Sequence, residues 1–226
     1  PLDSVYLDID YMEDYKDFTI DKNAFPDFEG LVCDAKKQGI HLVPIIDAGV
    51  KIEKGYEVYE EGVKNNYFCK KENGEDFIAA VWPGRVHFPD FLNPKVRDWF
   101  GQKYTFLTEK GIDGFWNDMN EPAIFYSEEH LNDVFKRIDD FKGKNLNIES
   151  YFEFTGMIND ISNNPKDYAS FYHEYKGARI RHDKVHNLYG FNMSRAASEA
   201  FASLPDKKRR LLFSRSSHMG MHRYAG

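Results

Sequence analysis

Gly111-Ile112-Asp113-Gly114-Phe115-Trp116-Asn117-Asp118-Met119-Asn120-Glu121-Pro122-Ala123-Ile124-Phe125 decides how the chain is read. The short apolar run from Ile112 to Asn117 climbs into a cluster of polar and acidic groups, and a run of that length predicts a buried strand. Pro122 cannot donate to a ladder, so the strand ends before it and the acids lie at its exit. Residues two apart in a strand face the same side, which lines up Trp116, Asp118 and Asn120 and sets an indole beside a carboxylate. Such an aromatic face packs against pyranose C–H groups, while the carboxylate can attack an anomeric carbon or stabilise the cation forming there. The same residues also suit a turn that caps the following segment, with Asn120 or Glu121 meeting free backbone N–H groups. The pattern alone leaves both readings open.

Working outward, Val5 to Asp10 reads as a first strand, apolar until its acidic end. A helix follows over 27–37, with Phe28, Leu31, Val32 and Ala35 as its apolar stripe and Gly39 as its stop. His41 to Asp47 is the second strand, and Pro44 either marks a bulge or delays pairing until Ile45. Residues 51–93 read as an inserted βα loop, with a helix near 56–63 and a hairpin turning at Asn73-Gly74. Its Val81-Trp82-Pro83-Gly84 and Phe88-Pro89-Asp90-Phe91 segments mix aromatics with prolines, which gives rigid walls. Asn93-Pro94 opens a helix that buries Val96, Trp99, Phe100 and Leu107. Past the central stretch, Ser127 to Phe141 reads as a helix facing inward through Leu131, Val134, Phe135 and Ile138. Residues 143–181 read as a further insertion, 186–204 as a helix, and Leu211 to Phe213 as a last strand running into Ser214-Arg215.

Strands alternating with helical crossovers predict an α/β fold with a parallel sheet. A doubly wound sheet would place a Gly-rich phosphate loop after the first strand, and Asp8-Ile9-Asp10-Tyr11 is nothing like one. A (β/α)8 barrel gathers its chemistry at the C-terminal ends of several strands, which is where Asp8, Asp10, Asp47, Asp118 and Arg215 fall. The expectation is a partial TIM (β/α)8 barrel, about strands 2 to 5 with long βα-loop insertions, in which 1–226 is a fragment of the catalytic domain.

Composition narrows the function. Of 226 residues, 42% are hydrophobic and 16% aromatic, ample for a core, and a net charge of −7 speaks against nucleic acid. Cys33 and Cys69 lack CxxC or His spacing, so no metal, cofactor or disulfide is implied and a reducing, cytoplasmic setting fits. No run of about 18 apolar residues occurs, so no membrane span is expected. The opening Pro1-Leu2-Asp3-Ser4, without an initiator methionine, is read as an internal start.

Phe115-Trp116-Asn117-Asp118-Met119-Asn120-Glu121 resembles the W-x-D-M-N-E motif of glycoside hydrolase family 31, the α-glucosidase and α-xylosidase family, and the DMNEP form resembles its α-glucosidase branch. The likeness covers essentially the whole chain in family order. It implies Asp118 as catalytic nucleophile and Glu121 as a supporting group. Leu7-Asp8-Ile9-Asp10-Tyr11-Met12 resembles the second-strand motif, which implies that Asp8 binds sugar hydroxyls and Ile9 lines the pocket. Ile46-Asp47-Ala48-Gly49-Val50 stands in place of the usual I-D-P-x-I, with Ala48 where proline is common, and implies contacts from Asp47 and Val50. Val81-Trp82-Pro83-Gly84 resembles an aromatic subsite wall carried by Trp82, while Trp116 and Met119 flank the nucleophile. Ser214-Arg215-Ser216 implies an arginine that binds sugar hydroxyls and keeps Asp118 ionised; His186-Asn187-Leu188-Tyr189-Gly190 resembles a structural H-N-x-Y-G segment.

The resemblance implies a retaining, exo-acting α-glucosidase acting on a small oligosaccharide or α-glucoside through a glycosyl-enzyme intermediate. The family's acid/base is the Asp of a G-D-N segment, and no G-D-N occurs in this sequence, so the isolated chain is expected to be inactive and weakly soluble. Two other classes compete: a non-catalytic carbohydrate-binding module that keeps Asp8, Trp82 and Arg215 for recognition, and a metal-dependent barrel hydrolase using Asp8, Asp10, Asp47 and Asp118. The second lacks any HxH or His/Asp ligand spacing. Link preference and oligomeric state are left open.

Overall fold

The computed structural model describes residues 2–226. In chain order, β1 (Ser4–Leu7) leads into two 3-10 turns (Ile9–Tyr11 and Glu13–Tyr15), then α1 (Phe28–Lys37), β2 (His41–Ile46) and β3 (Val50–Lys51). Next come α2 (Glu57–Asn65), β4 (Lys70–Lys71), β5 (Ala79–Val81), β6 (Gly84–His87), α3 (Pro94–Lys103) and α4 (Thr105–Thr108). The second half runs β7 (Gly114–Asn117), β8 (Tyr126–Ser127), α5 (Glu128–Asp139), α6 (Ile148–Asn159) and α7 (Pro165–Tyr168). It ends β9 (Phe171–Tyr175), β10 (Ala178–Arg181), a 3-10 turn at His182–Lys184, α8 (Leu188–Ser203) and β11 (Leu211–Ser214).

The main sheet has the order β1-β2-β7-β11, all parallel, with α1, α3 and α8 as crossovers. It is open, so β1 and β11 are edges, and the arrangement is a partial barrel wall, as the alternation predicts. Pro44 sits where one pairing hands over to another: β2 pairs with β1 through His41–Pro44 and with β7 from Ile45. A ring without an N–H is tolerated at that break. The first strand is shorter than expected. It stops at Leu7 because the Asp8 carboxylate accepts the Ile9 N–H at 2.8 Å and starts a 3-10 turn, a local bond that competes with the ladder.

Helix α1 begins where Asp27 accepts the Gly30 N–H at 2.9 Å, and α3 where Asn93 caps Lys95 ahead of Pro94. Phe28, Val32 and Ala35 are buried, but Leu31 is 41% exposed, so α1 faces the sheet on a narrower stripe than periodicity suggests. Val96, Trp99, Phe100 and Leu107 are buried as expected. Of the predicted α5 face only Val134 is buried, and Phe135 is 56% exposed, because α5 touches the domain along one line. Helices α3 and α8 pack closely at Gly101, where an added Cβ would lie 2.5 Å from the Ala196 carbonyl oxygen. Phe100, Tyr104, Phe115 and Tyr189 fill the core between these helices and the sheet.

Residues 51–93 contribute to two small antiparallel sheets, β3-β6-β5-β8 and β10-β9-β4. The Asn73-Gly74 turn forms, with Gly74 at φ +89. The tighter hairpin is β5–β6, whose tip is Trp82-Pro83 with Gly84 at φ +90. No helix among the described residues is long and apolar enough to cross a membrane.

Candidate active site

The exit of β7 is clamped from both sides. Asp118 donates its backbone N–H to the Ile46 carbonyl at 2.9 Å, and Arg215 donates its own to the Asn117 carbonyl at 3.0 Å. The Asn117 side chain accepts the Tyr104 hydroxyl at 2.6 Å. Met119 then adopts φ +54, a left-handed conformation that costs a non-glycine residue roughly 1 kcal/mol or more. That sharp turn leaves Asp118 at the lip of the sheet and swings Asn120 toward β11, where it donates to Ser214 Oγ (2.9 Å) and accepts the Ser216 N–H (3.0 Å). Helix α8 presses on the same turn: a Cβ on Gly190 would meet the Asn120 carbonyl oxygen at 2.6 Å.

Arg215 ties the acids together. Its Nη1 donates to Asp118 Oδ2 at 3.2 Å, and its Nε and Nη2 fork the Glu121 carboxylate at 3.0 and 2.7 Å. Asp118 is 6% exposed, and its Oδ1 is buried with no partner among the described residues. Burial raises the Asp118 pKa; Arg215 and the Met119 N–H oppose the rise, and Glu121 and Asp8 add to it. The net direction is upward. Arg215 therefore works for the ionised form without outweighing burial, and its shorter bonds go to Glu121.

A second acid pair lies beneath. The Asp47 N–H donates to Asp17 Oδ1 at 2.8 Å, and both residues are 1% exposed. Burial, then the Asp118 charge, pushes Asp47 up to about 7 against the pull of Arg215. Burial and Asp47 hold Asp17 well above the usual carboxylate range. Asp17 Oδ2 and Asp47 Oδ1 have no partners among the described residues. Asp17 carried no signal in the sequence, since its loop shows no periodicity. Asp8 and Asp10, two residues apart beyond β1, are both exposed.

A carboxylate at a parallel-strand exit, held by an arginine from the next strand, is one arrangement found in hydrolases, and comparison with known proteins decides which. Residues 1–226 match the glycosyl hydrolases family 31 TIM-barrel domain along their whole length. The chain belongs to glycosyl hydrolase family 31. It is 39% identical over 225 residues to alpha-glucosidase 2 of Bacillus thermoamyloliquefaciens, covering 100% of this chain and 24% of that protein. It is 29% identical over 221 residues to an alpha-glucosidase of Saccharolobus solfataricus, covering 98% and 29%. The crystal structure of an ER glucosidase II heterodimeric complex superposes with a TM-score of 0.74 at 28% identity, covering 100% of this chain and 21% of that one. The chain thus spans about a quarter of the length of the curated relatives it matches.

Within this family-31 wall the remaining residues are spread unevenly around Asp118. Asp8 reaches Asp118 and Asp47 through its charge. Trp116 packs edge-on to Tyr6 (6.3 Å between centroids), and its indole N–H is buried without a partner among the described residues. Trp82, 50% exposed at the hairpin tip, stands edge-on to Phe125 at 5.1 Å, which links the β5–β6 hairpin to the end of the Asp118 turn. Met119 is 4% exposed, Ile9 is half-buried in its 3-10 turn, and Val50 is fully buried in β3, presenting no surface.

Cys69, Asp90 and His173 are the one group of three candidate metal ligands among the described residues, and all are buried. Asp90 Oδ1 and His173 Nδ1 lie 2.7 Å apart, a hydrogen-bond distance. Ligands at about 2.0–2.1 Å around a tetrahedral zinc would stand roughly 3.3 Å apart. The group is arranged as a hydrogen-bonded cluster.

Proposed function

We propose that the complete protein containing this family-31 chain is a retaining, exo-acting α-glucosidase that releases terminal α-linked glucose from small oligosaccharides. One observation carries the reading: Asp118 stands at the exit of β7 with its Oδ2 held 3.2 Å from Arg215 Nη1, a carboxylate fixed beside a cation at a parallel-strand end. A carboxylate so placed can attack an anomeric carbon and form a glycosyl-enzyme. The alpha-glucosidase names of the relatives support the substrate.

A retaining mechanism requires a second carboxyl group about 5–5.5 Å away to protonate the leaving oxygen. Glu121 is unsuited, because both its oxygens are forked by Arg215. The sequence holds no G-D-N, so the acid/base comes from outside these 226 residues in this reading. The isolated chain, lacking a positioned acid and carrying two open sheet edges, is then slower by about 10²- to 10⁴-fold and prone to associate. Glucose release from maltose or isomaltose at full rate by the isolated chain would contradict this.

The test uses a 5-fluoroglycosyl fluoride on the complete protein. Covalent mass added at Asp118, and loss of both label and activity in Asp118→Asn, are expected. An unlabelled protein that still binds glucose would instead be a carbohydrate-binding module, and an Asp118→Asn enzyme within tenfold of wild type removes Asp118 from the nucleophile role.

A further inference from the structure

A line of hydrogen bonds runs from the loop before α3, through the Asp90–His173 pair, to the start of α8, apart from the Asp118 turn. Asp90 Oδ2 accepts the Glu174 N–H at 2.7 Å, and Asp90 Oδ1 lies 2.7 Å from His173 Nδ1. His173 Nε2 lies 2.9 Å from His182 Nδ1, and His182 Nε2 lies 2.8 Å from His186 Nδ1. Asp90, His173 and His182 are buried, at 3%, 0% and 0% exposure.

The proton positions follow from one end. A carboxylate has no proton to give, so His173 donates from Nδ1. A neutral imidazole that donates at Nδ1 accepts at Nε2, so His182 donates from its own Nδ1 to His173. The same step puts a proton on His186 Nδ1 and leaves His186 Nε2 as a bare acceptor, without a hydrogen-bond partner among the described residues. Burial, then the flanking His173 and His186, hold His182 well below the usual histidine range, which keeps the middle ring neutral. Burial pushes the Cys69 thiol up, so the sulfur 3.5 Å from His173 Nδ1 stays protonated.

The chain ends against the catalytic turn. The His186 ring packs on Tyr168 at 4.7 Å, and the Tyr168 hydroxyl donates to the Pro122 carbonyl at 3.1 Å. Gly190, four residues on, touches the Asn120 carbonyl. Burial lowers the His186 pKa and the Glu121 charge raises it, so Glu121 is within electrostatic reach. The charged and titratable groups around the relay are Asp90, Cys69, Tyr168, Asp183, Tyr189 and Glu121.

We propose that Asp90, His173 and His182 form a tautomer-setting relay, and that His186, oriented by it, is a positioning residue for the Glu121–Arg215 fork. His186 lies against Tyr168, whose hydroxyl holds the Pro122 carbonyl next to Glu121, so the ring that the relay orients sets how the turn carrying the Glu121–Arg215 fork is held. The catalytic consequence rests on the α-glucosidase reading; the tautomers do not.

The test is Asp90→Asn in the complete protein, labelled with 15N-histidine. Because one oxygen must still accept the Glu174 N–H, the new amide turns its NH2 toward His173 and reverses the relay. Long-range 1H–15N spectra are expected to show Nδ1–H on His173, His182 and His186 in the wild type and Nε2–H on all three in Asp90→Asn. The acid limb of kcat/KM should shift by roughly 0.5 pH unit, the weight of a surface ion pair, and an unmoved limb removes His186 from the positioning role. His186→Gln serves if Asp90→Asn does not fold: it should leave His173 and His182 in their Nδ1–H forms, since the proton order is set from Asp90. A wild-type Nε2–H on His186, or inner tautomers that change in His186→Gln, overturns the relay. Correct tautomers in a protein whose Asp118→Asn variant stays active would sink the Asp118-nucleophile reading alone.

Discussion

Removing Arg215 tests the electrostatics of the site most directly. Its guanidinium lies 3.2 Å from Asp118 Oδ2, and its side chain is 42% exposed. Two unit charges about 4 Å apart interact by roughly 4 kcal/mol at an effective dielectric of 20, and solvent screening at this exposure cuts that to about 1–2 kcal/mol. At 1.36 kcal/mol per unit, Arg215→Met should raise the Asp118 pKa by about one unit. Asp118 already titrates above the usual carboxylate range through burial, so the change adds in the same direction. In the proposed mechanism Asp118 must be ionised to attack, so the acid limb of kcat/KM for an aryl α-glucoside, which reports the free enzyme, moves to higher pH by about one unit. Arg215→Lys is the control. It keeps the charge and leaves the limb nearly in place, but a point charge cannot fork Glu121, so kcat falls at every pH. An acid limb that stays put in Arg215→Met would refute the claim that Arg215 governs Asp118 ionisation.

Three further outcomes are expected. Gly190→Ala forces a Cβ against the Asn120 carbonyl and should lower stability by about 1–3 kcal/mol in urea unfolding, whereas Gly156→Ala, with nothing within 4 Å on exposed α6, should raise it by about 0.5–1 kcal/mol. Asp47 titrates near 7 when folded and near 3.9 unfolded, so its folded form holds the proton more tightly. Its contribution is full below about pH 4 and is lost as pH rises toward 7; Asp47→Asn should remove that slope, gaining a few kcal/mol at pH 7.5 relative to pH 4 in denaturant titrations. Trp82→Ala, at a half-exposed hairpin tip, should shift stability by less than about 1.5 kcal/mol while raising KM for a glucoside; an unchanged KM would remove Trp82 from the subsite.

The strand exits were legible because each strand changes from apolar to polar within one or two residues, as at Phe115-Trp116-Asn117-Asp118 and Phe213-Ser214-Arg215. Four features were hidden for separate reasons. The first strand was read through Asp10 because pattern cannot show that the Asp8 carboxylate turns back on the Ile9 N–H. Leu31 and Phe135 fit their helical stripes, yet a stripe gives a direction and not the width of what covers it. The Trp82-Pro83 hairpin lacks an Asn-Gly signature, since Gly84 just beyond the tip supplies the positive φ. Asp17 was invisible for the deepest reason: its partner is a backbone N–H thirty residues away, which no local pattern encodes.

Arg215 meets Asp118 and Glu121 across 97 and 94 residues of chain. The order of folding is therefore built into the site. Until β11 docks, the two carboxylates on the β7 exit face each other without a cation, and every step that brings them together works against their repulsion. Loop closure over so long a span is slow relative to local helix formation, so the turn after β7 is among the last parts to settle. Amide protection at Arg215, whose N–H meets the Asn117 carbonyl only once β11 docks, should appear late in pulse-labelled refolding.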